Sequence, residues 1–304
     1  MLSNARRRPW IVLAAVAALA CAGPPPEADA PRAHSGALRI ATWNVHDLFD
    51  AVDRTAPPGD QDLVPTAEEV DAKLRVVGRV LAGIDADVLV LEEVESADLL
   101  QRVAVGPLGG RGYEAFLREG HDPRGIDVGV LSRVPFEVGP THLDDRAPDG
   151  RRLWSRDVLE IHLGPDASRL VVLGAHLVSR LDPREDGRRL LQAARLSEIA
   201  RTLAAGERGP GVLVVGDLND VPGSAALAPL LERAGCVDLG ARLPASSAWT
   251  WSGGGAHERI DYAVLCGGRA VDVIRTAVVD GPAVDAASDH RPVVVDVWLG
   301  PGAR

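Results

Sequence analysis

Four short apolar runs, far apart in the chain, each meet acidic, amide or histidine residues at one end. They are Ala41-Thr-Trp-Asn44, Leu89-Val-Leu-Glu-Glu93, Val215-Gly-Asp-Leu-Asn219 and Ser288-Asp-His290 with the run that follows it. Each run reads as a buried strand, because it is short, rich in Val and Leu, and bounded by polar or turn residues. The polar tips then fall at strand ends. Four such tips imply one pocket lined by oxygen ligands and a histidine, the chemistry that holds a hard divalent cation and hydrolyses a phosphoester.

The remaining pattern alternates strands with a few helices. Leu38–Trp43, Val88–Leu91, Ile126–Leu131, Val158–Leu163, Leu170–Ala175, Val212–Val215, Ile260–Leu265 and Val293–Trp298 read as strands. Thr66 with Glu69 three residues on forms a capping box, followed by Val70, Leu74, Val77 and Leu81 on one helical face. Arg188 to Ala204 reads as a second helix, with Leu190, Leu191, Ala194, Ile199 and Leu203 inward. Aromatics are only 4% of the chain, so the core must come from Val, Leu and Ala. Many strands and few helices predict an α/β fold with two sheets packed face to face and helices outside.

The first twenty residues carry an export signal. Arg6, Arg7 and Arg8 precede the apolar stretch Ile11–Ala20, which ends in the small-x-small pattern Ala18-Leu19-Ala20. That stretch is too short to cross a hydrocarbon core, which takes about 20 residues. Cys21 follows directly and is similar to a bacterial lipoprotein box, except that Ala18 stands where Leu is usual. Two products stay open: a freely secreted protein, and one tethered to a membrane by lipid at Cys21. Residues 21–37 are rich in Pro and Ala and read as a tether, which leaves 38–299 as the folded domain. In an oxidising compartment Cys236 and Cys266 are either a disulfide or two buried thiols; spacing does not decide between them.

Net charge is −10, and removal of the signal takes away three arginines and no acid. Such a surface disfavours a polyanion unless a local basic stripe reverses the field. Arg146, Arg151, Arg152 and Arg156 form one candidate stripe, and Arg180, Arg184, Arg188 and Arg189 another; solvated surface arginines are the plainer reading of most of them.

The tips resemble those of the endonuclease/exonuclease/phosphatase superfamily. The similarity rests on Trp43-Asn44, Glu93, Gly174-Ala-His176, Gly216-Asp217-Leu-Asn219, Arg259-Ile-Asp261 and Ser288-Asp289-His290, in that order across the domain. It implies a four-layer α/β sandwich of the DNase-like kind, with the site at one end of the two sheets. It implies a metal, Mg²⁺ or alternatively Mn²⁺ or Ca²⁺, held by Glu93 with Asn44 and with help from Asp289. Glu92 is the competitor, but it takes the place of a family Gln and lies on the opposite strand face. Asp217 would take a proton from the attacking water, and Asn219 would donate to the phosphoryl group. Asp261 would orient His290, the proton-exchanging histidine. His176 would contact phosphate or donate a proton. Arg156 stands where relatives often hold a phosphate-binding side chain, and Asp127 is a candidate second carboxylate that orients His176. Asp220 faces away. His34, His46, His121, His142, His162 and His257 match no role, and surface or structural placement is the default.

The resemblance implies an exported, monomeric, metal-dependent phosphoesterase in which water attacks phosphorus. A phosphodiester such as DNA or RNA is the first substrate expectation, and a lipid headgroup or sugar phosphate the second. A non-catalytic surface lipoprotein on the same scaffold is the reading from another class. No Gly-x-Ser-x-Gly nucleophile motif is present.

Overall fold

Alternation along each strand sends one set of apolar side chains between two sheets and the other set under helices. The computed structural model describes residues 36–52, 64–164, 170–205, 209–232, 235–267 and 271–299. The expected export signal, Cys21 and the expected tether up to residue 35 lie outside these residues. The first sheet runs in the order β13 (Val271–Val278), β14 (Val293–Leu299), β1 (Leu38–Leu48), β2 (Val88–Val94), β4 (Asp127–Ser132), β3 (Glu114–Leu117). The second runs β5 (Phe136–Val138), β6 (Leu159–Leu163), β7 (Leu170–Gly174), β8 (Gly211–Asp217), β12 (Asp261–Gly267), β9 (Cys236–Asp238). A separate hairpin pairs β10 (Trp251–Gly253) with β11 (Ala256–Glu258). Both sheets are mixed: β1–β2 and β7–β8 are parallel, the other pairs antiparallel.

Even-numbered residues of β1 and β2 face the second sheet. Ile40, Val88 and Val90 meet Val172, Leu213, Val215 and Ala263 in the inter-sheet core. Their neighbours Ala41, Trp43, Leu89 and Leu91 face the other way, under α1 (Ala67–Ile84), α2 (Ala97–Val105) and α5 (Pro282–Ala287). On the second sheet Val212, Val214 and Val264 pack under α3 (Asp186–Leu203) and α4 (Ala228–Leu231). The result is the expected four-layer α/β sandwich.

The capping box of α1 is formed: Thr66 Oγ1 accepts from Glu69 N at 3.2 Å, and Glu69 accepts from Thr66 N at 2.8 Å. The phase of α3 departs from expectation. Leu190 and Ala194 are exposed, and the buried face carries Arg189, Gln192, Ala193, Leu196 and Ala200. Polar anchors turn this helix: Arg189 donates to Asp220 at 2.9 Å and to Asp186 at 2.6 Å, while Gln192 bridges Val178 N and Leu153 O, each at 2.9 Å. An apolar-period count gives no weight to buried polar groups that find partners.

Cys236 and Cys266 are disulfide-bonded, directly opposite each other on β9 and β12. The bond closes a loop with a sequence separation of 30 and secures the short edge strand β9. Chain-entropy arithmetic for a loop of that length gives about 3–4 kcal/mol of stabilisation. The double variant Cys236→Ser/Cys266→Ser should lose about that much in a urea titration, with activity retained below the transition.

Candidate active site

The apolar rows of the inter-sheet core end in polar groups at one rim. Along β1 the inward positions run Ile40, Thr42, Asn44; along β2, Val88, Val90, Glu92; along β8, Leu213, Val215, Asp217; and along β12, reversed, Ala263 and Asp261. Asp217 and Asp261 are direct cross-strand partners, and both are buried. Like charges placed opposite each other without solvent disfavour ionisation. Burial, together with the Asp261 charge, raises Asp217 to about 7.

His290 resolves that repulsion. Its Nδ1 lies 2.9 Å from Asp261 Oδ2, and its Nε2 lies 3.9 Å from Asp217 Oδ2. Burial opposes its charge, but Asp261, Asp217 and Asp289 outweigh burial and push it up to about 10. Its backbone is pinned at both groups: His290 N donates to Ser288 Oγ, and Trp43 Nε1 donates to His290 O, both at 3.0 Å. Thr250 Oγ1 accepts from Ile260 N and Asp261 N, fixing the orienting carboxylate.

Glu93 leaves β2 in the left-handed region, with φ 64°. This turn takes its side chain off the strand's alternation and toward the rim. Asn44 Nδ2 donates to Glu93 Oε1 at 3.2 Å and to Asp217 Oδ2 at 3.1 Å, and Asp47 N donates to Glu93 Oε2 at 2.9 Å. Burial works against the charged form of Glu93. His176 whenever it is protonated, then the charges of Arg124 and His46, with the Asn44 amide, outweigh burial and hold the carboxyl well below the usual carboxylate range. Among the described non-glycine residues, five have positive φ, and four of them, His46, Asp47, Glu93 and Asn219, are at this rim. Such concentrated backbone strain is typical of functional sites.

His176 follows β7 and sits across from Glu93. Its Nε2 lies 3.5 Å from Asp217 Oδ2 and 4.0 Å from Glu93 Oε1. Arg156 Nη1 lies 2.8 and 2.9 Å from the two ring nitrogens. Burial and the Arg156 charge depress His176 well below the ordinary histidine value, so it is neutral. Asp127 does not orient His176. Its carboxylate accepts from Gly120 N at 3.0 Å, and burial pushes it up to about 7. Asp122, 3.4 Å from Arg156 Nε, is the carboxylate on this side.

Gly216 sets the approach of Asp217. At φ 133° a Cβ there would come within 1.9 Å of Ala175 O, so only glycine lets β8 cross the end of β7. Asn219 N then donates to Asp217 Oδ1 at 2.8 Å, and Asn219 Nδ2 to Leu177 O at 3.0 Å. One amide proton of Asn219 remains to meet a substrate oxygen. Asp220 faces away onto Arg189, as its position implies.

Asp289 reaches His46, with Oδ1 at 2.5 Å from Nδ1, and accepts from Trp251 Nε1 at 3.0 Å. His46, Thr250, Trp251 and Lys73 were not legible as site residues, and Ser288 only as part of a motif. Ser288 Oγ donates to Asn44 O at 2.7 Å, and Lys73 donates to Ala287 O at 2.6 Å, tying two chain segments to the rim. Only the position of His46, two residues past Asn44, offered a signal.

The second arginine cluster does not form a free basic stripe. Arg180 pairs with Glu258, Arg184 with Asp182, Arg188 with Glu185 and Arg189 with Asp186 and Asp220. Of the first cluster, Arg156 is buried at His176, Arg151 pairs with Asp149, and Arg152 contacts His121.

Residues 41–290 match the model of the Endonuclease/Exonuclease/phosphatase family, and the chain belongs to that family. It is therefore a phosphoester-hydrolysing enzyme of a divalent-metal-dependent class. The fold is similar to that of a humanized D. rerio TDP2 (TM-score 0.61, 18% identity, 87% of this chain and 100% of that one). It is similar to the human Nocturnin catalytic domain with bound sulfate (0.62, 16%, 86% and 94%). It is also similar to ANGEL2, described as a 2',3'-cyclic phosphatase (0.62, 14%, 86% and 95%). No curated protein matches the chain by sequence.

The donor set fits a divalent metal. Ligand atoms of Asp217, Asp261 and His290 lie within 4.8 Å of one another, and the Asn44 amide joins the Glu93 carboxylate to Asp217. A metal ligand must be deprotonated. Glu93 is held ionised while Asp217 retains its proton to about 7, so Glu93 is the better anchor.

Glu92 points into the inter-sheet space beneath this set. Thr42 donates to its Oε1 at 2.6 Å, and its buried Oε2 has no partner. Burial, reinforced by Asp261 and Asp217, raises it well above the ordinary value, so it is a neutral carboxylic acid. A raised carboxyl pKa stabilises the fold only below the unfolded value near 4.3; stability falls as pH rises toward the folded value, by about 1.4 kcal/mol per pH unit. Glu92→Gln should therefore match wild type near pH 4 in thermal melts and exceed it near pH 8.

Proposed function

We propose that this protein is an exported phosphodiesterase that uses Mg²⁺ and takes nucleic acid as its first substrate class. The observation that carries the reading is the buried Asp261–His290–Asp217 chain, 2.9 and 3.9 Å across its two links, beside ionised Glu93. Glu93 with Asn44 and Asp289 would hold Mg²⁺, which would supply positive charge toward the phosphate oxygens. Asp217, poised at about 7, accepts the proton of the attacking water. Protonated His290, neutral His176 and the Asn219 amide line the positions of the phosphoryl oxygens and offset the charge that develops there. Asp261 keeps His290 charged and oriented. The family match supports phosphoester chemistry, and ANGEL2, described as a 2',3'-cyclic phosphatase, shares the fold; neither singles out one substrate.

Export is supported by the amino-terminal signal pattern and by the Cys236–Cys266 disulfide, a bond suited to an oxidising compartment. Lipid at Cys21 is the membrane-bound version of the same proposal, and the catalytic unit works as a monomer. A second substrate reading, a lipid headgroup or sugar phosphate, is favoured by the pairing of Arg180, Arg184, Arg188 and Arg189 with local acids and by the net charge of −10.

Bis-p-nitrophenyl phosphate and plasmid DNA should be hydrolysed with Mg²⁺ and spared with EDTA; no metal-dependent turnover on any phosphoester would end this reading. His290→Ala should lower kcat by about 10²–10⁴-fold without unfolding. Steep loss of DNA cleavage between about 50 and 200 mM salt marks a nuclease. A small phosphoester that is turned over well, with little dependence on salt, marks the second reading.

A further inference from the structure

Three basic side chains crowd one wall of the site with no acid between them. The loop 119–125 packs on the segment 152–156, where His121 N donates to Ser155 O at 2.5 Å. Arg152 Nη1 meets His121 Nε2, and Arg146 lies opposite Arg152 in an isolated antiparallel bridge. Side chains directly opposite each other share a face, and like charges placed so repel. His121, Arg146 and Arg152 are all exposed. The nearby acids are committed elsewhere: Asp122 to Arg156 and Arg124, Asp145 to Arg195, and Asp149 to Arg151. Among the described residues, no carboxylate pairs with His121, Arg146 or Arg152. The cluster also joins the active site. His121 adjoins Asp122, whose Oδ2 lies 3.4 Å from Nε of the buried Arg156, and Arg156 holds His176. Arg124, on the same loop, reaches Asp47 at the rim, 3.4 Å away. A basic track therefore runs outward from Arg156, past Arg124 and the His121–Arg152 contact, to Arg146.

We infer that His121, Arg146 and Arg152 form a second phosphate subsite, which takes the phosphate next to the scissile one in a nucleotide chain. This inference rests on the phosphoesterase reading and favours a nucleotide chain over a substrate with one phosphate. Guanidinium forks match phosphate oxygens in a bidentate way, so two arginines and an imidazole supply enough donors for one phosphate. A bound anion turns the mutual repulsion of these groups into attraction to a common partner. A neutral imidazole accepts from a guanidinium; once protonated, both groups are donors, and an anion between them satisfies both. The net charge of −10 makes a local subsite necessary, because a polyanion approaches such a surface only where the field is reversed. None of His121, Arg124, Arg146 and Arg152 belongs to the motifs that carry the family resemblance.

Fluorescence anisotropy of a labelled, cleavage-resistant phosphorothioate oligonucleotide, at fixed Mg²⁺ and varied NaCl, reads the subsite without turnover. Arg152→Gln should weaken binding about tenfold and reduce the slope of log K against log salt by about 1, the share of one phosphate contact. Arg146→Gln should act in the same direction. Arg152→Lys keeps the charge and should retain most of the slope. Arg151→Gln removes the same charge one residue away, from a side chain paired with Asp149, and should leave the slope in place. In turnover, Arg152→Gln should lose about tenfold more kcat/KM on an oligonucleotide than on bis-p-nitrophenyl phosphate, which carries no second phosphate. An unchanged slope in Arg152→Gln overturns the inference. Equal losses from Arg151→Gln and Arg152→Gln mark diffuse surface charge and overturn it too, as does a wild type that binds no oligonucleotide. Each of these results leaves metal-dependent hydrolysis of bis-p-nitrophenyl phosphate by wild type, and phosphoesterase chemistry with it, standing.

Discussion

The opposition of Asp217 and Asp261 across β8 and β12 is the constraint around which the site is organised. Two carboxylates face each other at the rim of an apolar core, where neither can be ionised cheaply alongside the other. The fold does not relieve this by exposure. It inserts His290 from the other sheet, and the histidine bridges the two carboxylates while Asp217 stays near neutrality in its titration. Proton exchange near pH 7 is thus built from a repulsion that the backbone register enforces.

The two sheets contribute different parts. The second sheet presents Asp217, Asp261, His176 and Asn219, the groups that handle protons and phosphoryl oxygens. The first presents Asn44, Glu93 and the His46–Asp47 detour, and the loop before β14 adds Asp289 and His290. Asn44 joins the halves, because one amide donates to Glu93 and to Asp217. Electrostatics divides the carboxylates by job: Glu93 stays ionised and suits a cation, Asp217 stays near its titration point and suits a proton, and Glu92 stays neutral and suits the core. Three carboxylates within one rim thereby take three roles set by burial and neighbours.

Much of the site was readable because strand alternation is strict. Residues two apart share a face, so Asp217 with Asn219 could be placed from spacing, whereas Asp261 was placed by its match to the family motif. The capping box at Thr66 was legible because it is entirely local. The burial of Arg189 and Gln192 in α3 was not, since their partners Asp220, Val178 and Leu153 come from other segments. Asp127 failed as an orienting carboxylate for the same reason. A distant glycine amide, Gly120, claims it. His46 looked like an ordinary surface histidine because two left-handed residues carry it to Asp289, and backbone sign does not show in side-chain pattern.

The sequence by itself determined the chemistry: buried runs, the polar residues at their ends, and the order of Asn44, Glu93, His176, Asp217, Asn219, Asp261 and His290. These follow from local hydrophobic pattern and from motif order, which are properties of the chain. Only the tertiary structure decided the charge states, the disulfide between Cys236 and Cys266, the neutrality of Glu92, and the meeting of His46 with Asp289. The reason is physical. Ionisation depends on what lies within a few ångströms in a dry environment, and for these groups the deciding neighbours are often distant in sequence.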